Sequence, residues 1–277
     1  MFANFNPGAL GIRAGMVESL ALAMSGGWAG MDLPVAEALD LGVAATSAAF
    51  SKHAITPGGW GLPLDWRAPY DSAALANLGR QAELAAALGC TRAYTWVMPC
   101  SDELPFRENF AYHVSQLQPV AGVLAEHGCR LGLEFIGPLS TRQSKRYGFV
   151  STIDGMLSLA QAVGPNVGLL MDCWHWHARL GAISEIRGLR ADDVVFVHIN
   201  DVPSGADIAT MPDTVRALPL ATGTIDIGGF LGALAAIGYD GPVTPEPFDV
   251  SLAALPAADV SAQAAQATRA AIAAGRA

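Results

Sequence analysis

CRLGLEF (129–135), VGLLMD (167–172), VVFVHIND (194–201) and GPVTPEPF (241–248) are four short apolar runs, each carrying one metal-ligand side chain at or near its end. Those side chains are Glu134, Asp172, His198 and Glu246. Each run is bounded by Gly or Pro and is short enough to be a buried strand. In a parallel β/α barrel the exits of successive strands meet on the C-terminal face, where active sites are built. Two Glu, one Asp and one His at four such exits therefore predict a mononuclear metal site and an enzyme.

Working outward from these runs, strand-like and helix-like segments alternate along the chain. GALGIR (8–13), WAGMDL (28–33), VAATSAAF (43–50) and TRAYTWV (91–97) read as four earlier strands. Helical stretches separate them, with Asp71 or Ser72 capping one, Thr152 or Ser151 another, and Gly42 and Gly89 as stops. Eight β/α units of about 35 residues each predict an α/β fold, a (β/α)₈ TIM barrel, with residues 1–277 as a single domain. The long loops 51–70, 99–107 and 202–224 follow strands and are expected to wall the mouth of the barrel.

Composition narrows the function classes. Hydrophobic residues make up 52% of the chain and charged residues 15%, which suits a large core. No apolar run reaches the ~18 residues of a membrane span, and the N-terminus lacks the pattern of a secretory signal. The net charge of −9 argues against nucleic acid as a partner, because phosphate contacts need a basic groove. The four cysteines form no CxxC pair and read as core residues of a reduced, cytoplasmic protein. The Ala-rich C-terminal helix is expected to present an apolar face suited to a homo-oligomer.

The order GLEF, MDxWH, VHIND, PEPF resembles the xylose isomerase-like barrel superfamily, with the 2-keto-myo-inositol isomerase-like branch most similar. The resemblance implies that Glu134, Asp172, His198 and Glu246 hold one divalent cation. Three carboxylates and an imidazole form an oxygen-rich set that suits Mn²⁺ first, then Mg²⁺ or Co²⁺, with Zn²⁺ also compatible. It implies a small carbohydrate or cyclitol substrate and an enediolate intermediate, with Glu134 and Glu246 as the acid/base pair. Isomerisation or epimerisation is the expected outcome. A lyase, either an inosose-type dehydratase or an enzyme cleaving 3-keto-glycosides, is the alternative.

Around this set, His175 and Arg216 are expected to bind substrate oxygens, and Trp96 to wall the sugar ring, with Trp174 as a second wall. His53, Trp60, Trp66 and Arg67 fall in a loop with a lid reading. His113 and His127 are expected on the surface, and His177 is expected to be held by packing. Arg142, Lys145 and Arg146 form the one basic cluster. In ketose 3-epimerases an Arg lies six residues beyond the ligand His; here that position is Ser204.

Overall fold

Apolar runs that must bury both faces are stable only in a parallel sheet covered by helices. The computed structural model, which describes residues 1–207, 210, 213–249 and 251–276, folds in that way. In chain order its strands are β1 (Phe2–Phe5), β2 (Gly30–Met31), β3 (Thr56–Pro57), β4 (Trp60–Gly61), β5 (Arg92–Val97) and β6 (Cys100–Ser101). They continue with β7 (Arg130–Phe135), β8 (Tyr147–Gly148), β9 (Val167–Asp172), β10 (Val194–Ile199) and β11 (Pro242–Pro245). The helices are α1 (Met16–Gly26), α2 (Val35–Leu41), α3 (Val43–Lys52), α4 (Ser72–Ala87), α5 (Phe106–Glu126) and α6 (Leu139–Arg142). After these come α7 (Ile153–Val163), α8 (Cys173–Ala178), α9 (Ile183–Arg187), α10 (Ile227–Ala236) and α11 (Ala257–Ala274).

The main sheet runs β3-β2-β1-β11-β10-β9-β7-β5-β4, and every pairing in it is parallel. Its two end strands, β3 and β4, are halves of one run, residues 56–61, so the sheet closes on itself as eight staves. This is the (β/α)₈ barrel. Its staves are bridged at 56–61 by Gly58 and Gly59, where inner side chains leave no room for a Cβ. A Cβ on Gly58 would lie 2.0 Å from Asn4 Oδ1, and one on Gly59 would lie 2.4 Å from the Phe196 ring. Those clashes explain why this stave consists of two short fragments and why its sequence does not read as a strand.

Two expected strands are corrected. Residues 8–13 do not extend; a 3₁₀ turn occupies Gly8–Leu10 and ends on Gly11 at φ 72°, and the first stave is β1 instead. Residues 43–50 are helix α3. Its buried residues Thr46 and Phe50 stand four apart, one helical face, and alanine at 44, 45, 48 and 49 favours helix. The third stave therefore lies inside the segment expected to be a loop from 51. The expected caps hold: Asp71 accepts from Ala74 N–H, and Thr152 from Gly155 N–H.

Helix α11 packs on α1, α10 and β1. Its buried residues, Val260, Ala264, Ala265, Thr268, Ala271 and Ile272, spend the apolar face inside the chain, which removes that face as an argument for assembly. His53 ends α3, just before β3 begins, so it sits at the opposite end of the barrel from the mouth and is no lid residue. His113 is buried, stacked on Phe149 with its ring edge toward Trp66, and not a surface residue. Of the expected mouth loops, 99–107 contains β6, which pairs antiparallel with β8. Residues 208, 209, 211 and 212 of the 202–224 loop lie outside the described residues.

Candidate metal centre

Strand register builds the site. Asp172 and His198 are direct partners across β9 and β10, and Glu134, one residue before the end of β7, stands opposite Trp96 of β5. Glu246 follows β11, with its backbone N–H bonded to Ile199 O. These four residues bring ligand atoms within 4.8 Å of one another. His198 Nδ1 lies 3.4 Å from both Glu134 Oε1 and Glu246 Oε2, so the two glutamates converge on one imidazole nitrogen. Glu134, Asp172 and His198 are buried and Glu246 is half-buried.

Burying three carboxylates together is costly unless cations compensate. Glu134 Oε1 and both His198 ring nitrogens are buried without a hydrogen-bond partner. Such orphaned atoms, converging on one point, are what a cation would satisfy, so the donor set fits a divalent metal. In the metal-free state burial lifts the Glu134 pKa to about 8, helped by the negative charge of Glu246. The His198 pKa is raised well above its ordinary value because Glu246 and Glu134 outweigh its burial. Glu246 is held below the ordinary range by His198 and Arg216, against its own burial.

A second cation is already present. Arg216 is buried, and its Nη1 donates to Asp172 Oδ2 (2.8 Å) and Glu246 Oε2 (3.0 Å). Its Nη2 donates to Asp213 Oδ1 (3.2 Å), and its Nε to the Asp213 carbonyl (2.8 Å). Asp172 has a double role: its Oδ1 accepts from Trp174 N–H (2.8 Å) and Asn200 Nδ2 (3.1 Å). The first bond caps α8, and together they leave Oδ2 to face the site.

His175, one turn along α8, comes into the same space. Its Nδ1 accepts from Gly137 N–H (3.2 Å), so the neutral ring carries its hydrogen on Nε2. That nitrogen is 3.7 Å from Asp172 Oδ2, 4.0 Å from Glu134 Oε2 and 3.4 Å from Arg216 Nη2. Burial depresses its pKa to about 3, so it stays neutral. Two donors, Arg216 and His175, thus stand beside the carboxylates of Glu134, Asp172 and Glu246.

A cavity of about 290 Å³ opens on these groups and is lined by Glu134, His175, Arg216, Glu246, Trp96 and Phe248, among others. Trp96 is 44% exposed at its rim, with the Arg67 guanidinium 3.9 Å from its ring centroid and Trp66 on the other side. Trp174 is fully buried beneath Arg216 and does not line the cavity; Trp60 is likewise core. His177 is half-buried and outside the cavity. The basic cluster does not reach it either: Arg142 Nε bonds Gly137 O, Lys145 pairs with Asp102, and Arg146 lies over Tyr147.

Sequence reasoning missed Asp213, Asn200 and Asp32. Asp32 follows β2 at a stave exit, so the rule that found Asp172 applies to it equally. Asn200 lies within the HIND run and has no signal of its own apart from its neighbours. Asp213 lies in an irregular loop and carries no periodic signal.

The sequence model of the xylose isomerase-like TIM barrel matches residues 27–271. Similar curated proteins include an inosose isomerase of Halalkalibacterium halodurans, 29% identical over 137 residues, 49% of this chain and 45% of that one. A 3-dehydroshikimate dehydratase of Pseudomonas putida is 32% identical over 136 residues, 48% of this chain and 21% of that protein. These matches span less than half the length of the curated relatives. A solved xylose isomerase domain protein of Alicyclobacillus acidocaldarius superposes over the whole of both chains with a TM-score of 0.89 at 29% identity. The IolI protein, solved with a bound zinc atom, superposes at 0.79 and 21% identity over 98% of each chain. The chain belongs to the xylose isomerase-like TIM barrel family.

Proposed function

We propose that this protein is a divalent-metal-dependent isomerase or epimerase of a small carbohydrate or cyclitol, working through an enediolate. The observation that carries the reading is the pair Glu134 and Glu246, both lining one cavity and both 3.4 Å from His198 Nδ1. When bound, the cation supplies Lewis acidity to a carbonyl and its neighbouring hydroxyl and offsets the charge of the enediolate. One glutamate takes the proton of the C–H between those oxygens, and the other delivers a proton to the opposite face or the adjacent carbon. His175 Nε2–H and Arg216 orient the oxygen that gains charge, and Asp213 braces Arg216. Trp96 offers an apolar wall to the ring.

Mn²⁺ is the metal best suited to three carboxylates and one imidazole, and the zinc in IolI makes Zn²⁺ the ion to compare with it. The four buried free cysteines fit a reducing, cytoplasmic setting. No described helix is long and apolar enough to cross a membrane. The likeness to 3-dehydroshikimate dehydratase favours a second reading, in which the same enediolate expels a β-oxygen and the enzyme is a lyase.

The test is metal-dependent exchange of substrate C–H protons in D₂O, followed by NMR over a panel of ketoses, inososes and 3-keto-glycosides. Wild type should exchange, and Glu134→Gln and Glu246→Gln should each lose about 10²–10⁴-fold, the range of general acid–base catalysis. Products of unchanged mass identify the isomerase, and loss of water or an alcohol identifies the lyase. No exchange across the panel by a metal-loaded enzyme would sink the proposal.

A further inference from the structure

The exits of the first four staves hold a second cavity that the chemistry above leaves unused. Its volume is about 500 Å³, against about 290 Å³ for the pocket at the metal-ligand residues, and the two share no lining residue. One wall is apolar, built from Pro7, Met16, Met31, Leu33 and Val35; the other presents Asn6, Asp32 and Tyr94. Asp32 Oδ1 accepts from Asn4 Nδ2 (2.7 Å), and Oδ2 from the Tyr94 hydroxyl (2.5 Å).

Two neutral donors do not exhaust a carboxylate, which offers about four acceptor sites. Asp32 is only half-buried, and among the described residues it forms no ion pair with Lys, Arg or His. It therefore keeps acceptor capacity on the cavity side. Its pKa is raised by burial to about 6, which leaves it a carboxylate at neutral pH. The cavity's other carboxylate, Glu37, accepts from Met16 N–H through both oxygens (3.0 and 2.9 Å); one remaining carboxylate beside an apolar wall is a poor cation site, because hard cations collect six or more oxygens. It is a good site for a hydroxyl on a ring whose face is apolar.

This cavity adjoins the metal centre. The Tyr94 ring meets His198 edge-on, with centroids 5.5 Å apart. Asn4 also donates to Thr244 (2.9 Å), the register partner of His198. Tyr94 thus lines this cavity and touches the candidate metal centre through His198.

We propose that the cavity is a second half-site for a hydroxyl-bearing ring substituent of the sugar substrate. Asp32 and Asn6 bind the hydroxyl, and the apolar wall takes the ring face. This rests on the enediolate reading above and narrows its substrate class from free sugars to ring-substituted ones.

The experiment compares D₂O exchange by the metal-loaded enzyme on three 3-keto-glucosides: methyl, glucosyl and 4-hydroxyphenyl. Wild type, Asp32→Asn and Ala36→Trp are run together; Ala36 is exposed and lines the cavity, so an indole there fills it. Binding of the unreactive parent glucosides is followed in parallel by NMR. The expected result is a kcat/KM about tenfold or more higher for a ring-bearing substrate than for the methyl glucoside, the scale of one hydrogen bond to a charged group. That ratio should fall to within about threefold of unity in both variants. The glucosyl and 4-hydroxyphenyl arms decide whether the substituent is a second sugar or a phenolic group. A ratio near one in wild type, with exchange intact, overturns the half-site and leaves the enediolate reading standing. Absence of exchange, with parent glucosides still binding and losing that binding in Ala36→Trp, supports the half-site and removes the enediolate reading. Neither exchange nor binding overturns the half-site.

Discussion

Replacing Arg216 by Met tests whether a protein cation and a metal ion share the same carboxylates. Arg216 Nη1 is 2.8 Å from Asp172 Oδ2 and 3.0 Å from Glu246 Oε2, two oxygens expected to be metal ligands. A divalent ion among those ligands would sit roughly 5 Å from the guanidinium. At an effective dielectric of about 20, charges of +2 and +1 at that separation repel by about 7 kcal/mol. Relaxation of Arg216 toward Asp213, already 3.2 Å away, would relieve part of this. If roughly half remains, Arg216→Met should tighten metal binding by about 3 kcal/mol, or about 100-fold. The same change leaves Asp172, Glu246 and Asp213 without their guanidinium in the metal-free protein, at a cost of about 3–5 kcal/mol. Apo Tm should then fall by on the order of 10 °C, and metal should restore most of it. Isothermal titration of metal-stripped protein with Mn²⁺, with melting curves of both forms, gives both quantities. Equal or weaker Mn²⁺ binding by the variant would refute the reasoning, whatever happened to turnover.

Two further predictions follow from the same geometry. Burial raises the Glu134 pKa to about 8 in the metal-free site, and a ligand carboxylate must be ionised, so binding the ion releases this proton. His198, also held above its ordinary range, must lose its proton as well, so metal affinity should rise by about tenfold or more per pH unit below pH 8; a flat Mn²⁺ titration between pH 6 and 8 would contradict those shifts. Gly59→Ala should destabilise the barrel by about 1–3 kcal/mol in urea unfolding, as overpacking does. Its Cβ would meet the Phe196 ring at 2.4 Å and the Arg92 carbonyl at 3.0 Å, and an unchanged midpoint would count against so tight a closure.

The second half of the barrel was legible because its staves are apolar on both faces and end on titratable residues. Glu134, Asp172, His198 and Glu246 announce both strand and site in the same few residues. The first half hides its staves. Residues 56–61 contain two glycines demanded by Asn4 and Phe196, partners remote in sequence, so no local periodicity marks the strand. The VAATSAAF segment misleads because Val and Thr suggest a strand while its alanines and the 46/50 spacing obey helical geometry. At the site, Arg216 was found from its position near the seventh stave, but its depth among the ligands was not readable, because it depends on a loop fold. His113 was misplaced because its burial comes from Phe149 and Trp66 across other elements, and not from its own helix.

Asp201, two residues beyond the end of β10, anchors that loop. Its carboxylate accepts from the backbone N–H groups of Thr222 (2.9 Å), Gly223 (2.8 Å) and Ile225 (3.1 Å). Its main chain exchanges two hydrogen bonds with Ala217, and Arg216 N–H bonds Pro247 O. The segment from Arg216 to Ile225 is thus tied to the barrel independently of what precedes it. Residues between Val202 and Asp213 can lengthen, shorten or change composition in descendants of this sequence while Arg216 keeps its place. Variation in that interval is thereby separated from the placement of Arg216, and a library confined to it should leave the buried guanidinium where it is.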